Sequence, residues 1–249
     1  MILPLLFLGN IFAESQQELL NKLIAASAHN KIGIVRFALN QSPEIVNKQD
    51  EYGWSALMYA SSYGHIEIVK YLKEKNADLN LKDKIHGWSS LMWASYKNRV
   101  EVVKYLCDSG ADLNITDKRN GWSALMWASK AGNLKVLEVL IKKGADKNIK
   151  DKVYGWSALM WASYYGSLEV FKFLADNGAD INSVDKNGWS ALMWASIKKK
   201  TDVVKYLISK GADLSIKDKT YSLTALKWAK VQGAAEIVKL LTEAQTNRR

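Results

Sequence analysis

Apolar residues in this chain fall into pairs of short runs that repeat. Leu57, Met58 and Ala60 open one run, and Ile66, Val69 and Leu72 form the next, with a three-residue spacing that puts one apolar stripe on a helix. The same second run recurs as Leu168, Phe171 and Leu174. Between the two runs stands a Gly or Asn (Gly64, Asn98, Gly132, Gly166), a residue that tolerates positive φ and ends a helix. A second stop follows each second run, at Asn76, Gly110, Gly144, Gly178 and Gly211, and opens an extended stretch such as Leu-Asn-Ile-Thr-Asp-Lys. The pattern predicts helix, turn, helix and extended finger, over and over.

The first run carries the sharpest signature. GWSALMWAS or a close variant begins at Gly53, Gly87, Gly121, Gly155 and Gly188, with a worn copy, SLTALKWAK, at Ser222. Successive starts lie 34, 34, 34, 33 and 34 residues apart, so the chain is a repeat array. The Ser before Ala-Leu-Met is an N-cap, its hydroxyl satisfying an otherwise orphaned amide of the first turn. Leu57, Leu91, Leu125, Leu159 and Leu192, with the alanine after the second Trp, take the core positions of the first helix.

These residues resemble the ankyrin repeat from about Leu19 to Leu241. The family's TPLH at the start of helix one maps onto Ser-Ala-Leu-Met, and its GAD after helix two onto the Gly-Ala-Asp steps here. The resemblance implies an all-α solenoid of helix-turn-helix units with finger loops, about seven repeats including two caps, and a protein-binding role. Two departures stand out: the family's Pro is Ala in five of six copies and Ser90 in the other, and its His is Met58, Met92, Met126, Met160 and Met193. Losing the His removes a usual hydrogen bond at the helix start, so neighbouring loops are expected to be tied together differently.

Residues 14–49 read as a degenerate capping repeat, 50–217 as five full repeats, and 218–249 as the second cap, because terminal repeats must turn one polar face outward. Residues 1–13 (MILPLLFLGNIFA) are apolar, too short to span a bilayer and followed by polar residues, the pattern of a signal peptide cleaved after Ala13. The absence of Lys or Arg ahead of the apolar run weighs against that reading. With a cleaved signal the protein is periplasmic or secreted; otherwise it is cytoplasmic.

Catalytic chemistry finds no support. His29, His65 and His86 occupy unrelated positions in different repeats, so none pairs as metal ligands, and no phosphate loop or nucleophile elbow occurs. Asp83, Asp117, Asp151, Asp185 and Asp218 recur once per repeat, as turn formers do. The lone cysteine, Cys107, lies in a second helix and reads as a small buried hydrophobe. The chain is read as a non-enzyme without metal or cofactor.

All ten tryptophans fall in two columns: Trp54, Trp88, Trp122, Trp156 and Trp189 before the N-cap, and Trp93, Trp127, Trp161, Trp194 and Trp228 five residues further on, with Tyr59 completing the second. Helical geometry places the second column beside the variable Ser62, Tyr63, Tyr96, Lys97, Tyr164, Tyr165, Ile197 and Lys198. Neither column is expected in the core; both are expected to run as aromatic ladders along one groove. Two roles are open to them: indoles covering the seams between repeats, or a contact surface for a partner.

A formal net charge of +10, with lysines on the fingers, suits an acidic partner. A protein partner is the first expectation. Glycan or anionic polymer stacking on Trp is the second, and single-stranded nucleic acid the third, which export would put out of reach.

Overall fold

The computed structural model describes residues 14–165 and 167–247. The proposed signal segment, 1–13, and the turn glycine Gly166 lie outside the described residues. Among the described residues fourteen α-helices run in seven consecutive pairs: α1 (Gln16–Ala28) with α2 (Ile32–Gln41), α3 (Ala56–Tyr63) with α4 (Ile66–Glu74), α5 (Ser90–Tyr96) with α6 (Val100–Asp108), α7 (Ala124–Ala131) with α8 (Leu134–Lys142), α9 (Ala158–Tyr165) with α10 (Leu168–Asp176), α11 (Ala191–Ile197) with α12 (Thr201–Ser209), and α13 (Ala225–Val231) with α14 (Ala235–Thr246). Odd helices pack on odd and even on even, giving two helical layers with one continuous core between them.

The predicted caps are in place. The hydroxyls of Ser55, Ser89, Ser123, Ser157 and Ser190 accept from the amides of Met58, Met92, Met126, Met160 and Met193 at 3.3–3.4 Å. Gly64 and Gly132 close their helices in the left-handed region, and Asn98 follows α5 with φ +57°. The core leucines of the odd helices and the methionines beside them are fully buried. After the first pair a 3-10 turn, Pro43–Asn47, stands where later repeats have their Gly-Ala-Asp or Asn-Ala-Asp step, and the finger follows from it.

Loops of adjacent repeats are tied by three backbone-centred devices. The amides of Lys84, Lys118, Lys152, Lys186 and Lys219 each donate across the junction to the carbonyl of the residue before the motif Gly of the preceding finger, at 2.7–3.1 Å. Asn47, Asn80, Asn114, Asn148 and Asn182 accept through Oδ1 from the amide of the Gly-Ala-Asp or Asn-Ala-Asp aspartate one repeat on, at 2.8–3.1 Å. The residue before three of the even helices, α4, α6 and α8, also reaches back: His65 Nε2 to the Ala28 carbonyl, Arg99 Nε to the Ser62 carbonyl and Asn133 Nδ2 to the Ser95 carbonyl. His65 is thus structural.

The glycine that opens each motif serves this close approach. Gly121 has φ +73°, and a Cβ there would meet Lys152 Cγ at 2.5 Å and its amide nitrogen at 3.0 Å. In the last copy, Ser222 keeps the left-handed backbone at φ +54°.

Candidate partner-binding groove

Five aspartates organise the fingers, and all five are buried. Asp83 Oδ1 accepts from the amides of Ile85 and His86, and its Oδ2 from the amide of Trp88. Asp117 and Asp151 hold the amides of Asn120 and Gly121, and of Tyr154 and Gly155. The other oxygen of each carboxylate takes an indole N–H from the following odd helix: Trp93 to Asp83, Trp127 to Asp117, Trp161 to Asp151, Trp194 to Asp185 and Trp228 to Asp218, at 3.0–3.3 Å. Tyr59 repeats the arrangement through its hydroxyl, 2.9 Å from Asp50. Burial and that bond to Asp50 push the Tyr59 hydroxyl well above the usual phenol range. At Asp218 burial pushes the carboxyl up, but amides of Tyr221, Leu223 and Thr220 and the indole of Trp228 outweigh it and hold the group below its ordinary value.

The aspartates are therefore turn formers, as the sequence predicts, and also indole acceptors. They answer the missing histidine of the helix start. Where Met92, Met126, Met160 and Met193 offer no hydrogen bond, a buried carboxylate pins finger to helix; beside Met58 the half-buried Asp50 does the same through Tyr59.

The two tryptophan columns merge into one zigzag. Ring centroids follow Tyr59, Trp54, Trp93, Trp88, Trp127, Trp122, Trp161, Trp156, Trp194, Trp189 and Trp228 at successive distances of 4.8, 4.2, 4.3, 4.1, 4.6, 4.7, 4.5, 4.6, 4.7 and 4.7 Å. Each first-column ring lies between the second-column rings of its own repeat and the next. Asp185 also accepts from Trp156 of the repeat before, at 3.0 Å.

This corrects the expectation that neither column belongs to the core. Trp88, Trp122, Trp156 and Trp127 are only 7, 4, 4 and 8 % exposed, while Trp54, Trp189, Trp93, Trp161, Trp194, Trp228 and Tyr59 are half-buried. The first column contains three of the four buried rings. The physical reason is the fold of the finger itself: it bends over the odd helices, drawn down by its aspartate, and lays the first-column indole between two others.

What remains open to solvent is a groove above this ladder, between the finger tips and the ends of the odd helices. One notch of about 290 Å³ is lined by His86, Trp88, Trp93, Tyr96, Asn120 and Trp127. The matching notch one repeat on, about 190 Å³, is lined by Asn120, Trp122, Lys130, Tyr154, Trp161 and Tyr165. Of the sequence-predicted contacts, Tyr63, Tyr96 and Tyr165 are exposed at 52, 37 and 51 %, and Tyr164 is half-buried between Trp156 and Trp194. Lys97 lies over Tyr96, Lys130 over Trp122 and Trp127, and Lys198 over Tyr164, with the ammonium 4.4–5.5 Å from the ring centroid. Sequence reasoning missed the opposite wall, where Tyr52, Tyr154 and Tyr221 are more than half exposed just before the motif glycine or its serine stand-in. Their signal was present: that position changes from copy to copy (Tyr52, His86, Asn120, Tyr154, Asn187, Tyr221) while the motif beside it does not.

Cys107 is half-buried rather than enclosed, and burial, with Asp108 adding, raises its thiol to about 11. Among the described residues no cluster of His, Cys, Asp or Glu is arranged to hold a metal ion, and no helix is long and apolar enough to cross a membrane.

A stack of near-identical helix pairs, joined by hydrogen-bonded fingers and open along one groove, defines a repeat-built binding scaffold. The chain belongs to the ankyrin repeat family: the family's model for ankyrin repeats matches residues 5–83, 23–117, 91–185 and 159–249. Among solved structures it is similar to the ankyrin repeat domain of Bcl-3, described as a unique member of the IkappaB protein family, with a TM-score of 0.79, 25% identity, and coverage of 88% of this chain and 97% of that one. No curated protein matches the chain. Ankyrin repeats are in general protein–protein interaction modules, and the fold is typically a non-catalytic scaffold.

Proposed function

We propose that this chain is a non-catalytic scaffold that holds a partner protein in the groove above its tryptophan ladder. The observation that carries the reading is a division of labour between repeating and varying positions. The ladder, its aspartates and its caps recur nearly unchanged, whereas the residues of both walls differ from repeat to repeat: the buried Ser62, then Tyr96, Lys130, Tyr164 and Ile197, all at least partly exposed, on the helix side, and Tyr52, His86, Asn120, Tyr154 and Asn187, also at least partly exposed, on the finger side. Recognition of one partner over another needs such differences, and tyrosine is an efficient contact residue because it buries much area with few rotatable bonds. Contact falls to Tyr63, Tyr96, Tyr164 and Tyr165, with the open edges of Trp93 and Trp161; the buried indoles hold those residues in place. Sugars and nucleic-acid bases stack on open ring faces, and here neighbouring indoles occupy those faces, which favours a protein in the groove over a glycan or a single strand.

The test is affinity capture with the full chain beside a Tyr96→Ala, Tyr165→Ala double variant. Both tyrosines are exposed, so the melting midpoint should stay within the small range of surface substitutions. Capture of the specific partner should fall by a factor consistent with about 2 kcal/mol or more per lost anchor. Unchanged capture refutes the groove as the contact. The same reading includes export, with cleavage after Ala13; a native chain beginning at Met1 in the cytosol would overturn that part.

A further inference from the structure

A second surface, separate from the aromatic notches, runs along the fingers. An open recess on it, about 570 Å³, has no aromatic residue in its lining, which includes Lys82, Lys84, Gly87, Thr116, Lys118 and Lys152. The row continues through Lys186 to Lys219, one lysine after each finger aspartate, with Lys150 and Lys217 before two of them. All of these lysines are exposed. The finger aspartates between them are buried and turn their oxygens to amides and indoles, so from Asp83 to Asp218 the exposed charge of the finger tips is cationic. The acidic exception, Glu51, sits on the first finger, at one end of the row.

The row is held in register. Each lysine has its amide bonded to the preceding finger, and its side chain begins directly over the preceding motif glycine: a Cβ on Gly53, Gly87, Gly121, Gly155 or Gly188 would meet the lysine side chain at 2.5–3.0 Å. The missing side chain of the glycine is the space the lysine stem occupies. Lys186 and Lys219 carry the tie further, their ammonium groups donating to carbonyls of the finger before, Lys186 to Val153 at 3.1 Å and Lys219 to Lys186 at 3.0 Å.

We propose that this row is a docking track for an extended acidic segment of a protein, with a carboxylate at about every third residue. The spacing follows from geometry. Packed helices lie about 8–10 Å apart, so each repeat advances the row by that distance, and an extended chain rises about 3.3 Å per residue. Three residues of an extended peptide therefore span one repeat. Charge complementarity selects an anion, and the lack of any aromatic platform in the recess argues against a nucleic-acid strand, whose bases need one.

The experiment uses the full chain and three labelled probes read by fluorescence anisotropy: a peptide of repeated Glu-Ser-Gly, a peptide of the same composition with its glutamates clustered, and oligothymidylate. The spaced peptide should bind most tightly, more weakly as salt is raised. A Lys84→Gln, Lys118→Gln, Lys152→Gln variant keeps the stems over the glycines; it should bind the spaced peptide roughly tenfold or more weakly with an unchanged melting midpoint. No binding, equal binding of the clustered peptide, tighter binding of oligothymidylate, or indifference to the lysine changes each overturns the proposal. Tyr96→Ala, Tyr165→Ala should leave peptide binding unaltered. If it abolishes binding, the acidic segment lies in the aromatic groove, and this proposal fails while the groove reading stands.

Discussion

Trp122→Ala separates a tryptophan that holds the array from one that waits for a partner. Trp122 is 4 % exposed, and its ring lies 4.6 Å from Trp127 and 4.7 Å from Trp161, with the Lys130 ammonium 5.1 Å from its centroid. A tryptophan of this kind buries about 150–250 Å², which at about 25 cal/mol per Å² is roughly 4–6 kcal/mol of transfer free energy. Alanine retains part of that, and measured losses for buried Trp→Ala changes are about 3–5 kcal/mol. Each aromatic pair contributes about 0.5–1.5 kcal/mol beyond its area, and two are lost here. The expected loss is therefore about 4 kcal/mol, comparable to Leu125→Ala at a fully buried core position. Urea unfolding followed by helical circular dichroism measures it, with Leu125→Ala as the internal standard. A loss below about 1 kcal/mol, in the range of surface substitutions, would mean that the fold does not depend on the ladder, and the assignment of the indoles to the core would be wrong.

Two further outcomes test the fingers. Because the Asp218 carboxyl is held below its ordinary value when folded, its contribution to stability is fully present above the ordinary carboxylate range and is lost as pH falls through the folded value; the melting midpoint of Asp218→Asn, followed from neutral to acid pH, should decline less steeply than that of the parent chain, and parallel declines would refute the role. Gly121→Ala and Gly132→Ala share φ +73°, but only Gly121 would clash with a neighbour, so thermal melting should show about 1–2 kcal/mol lost at Gly132 from backbone strain alone and clearly more at Gly121; equal losses would remove close approach as the reason for the motif glycine.

Much of the architecture was legible because each repeat writes its local rules in full. Serine at the N-cap, glycine or asparagine at positive φ and the three-residue stripes of the even helices are short-range features, and the chain states them five times or more. The tryptophans were misplaced for a long-range reason. A helical wheel orients Trp127 relative to α7 alone, and it carries no information about the finger that folds across it from Asp117. The first column suffered most, since residues before an N-cap read as loop and loops read as exposed; Trp122 is in a loop and is buried by its neighbours on both sides. The asparagine ties were equally hidden, although Asn80, Asn114, Asn148 and Asn182 recur two residues after four of the five Gly-Ala-Asp or Asn-Ala-Asp steps; what they bond to lies a whole repeat away. The groove itself was half visible: the helix-side tyrosines were found through their place beside the second column, and the finger-side tyrosines were missed.

The zigzag has a consequence for how the array opens. In a solenoid whose units touch only their neighbours, stability is a sum of the intrinsic free energy of each unit and a coupling across each boundary. Here every boundary from α3 to α13 is spanned by a first-column indole pressed against the next repeat's second-column ring, so a boundary between a folded and an unfolded unit sacrifices aromatic stacking as well as helix packing. Strong coupling of this kind lengthens the cooperative unit. Fraying from the ends is suppressed, and the amides of distant repeats exchange with solvent by the same concerted opening. A partner that grips two or three repeats then slows hydrogen exchange in repeats it never touches.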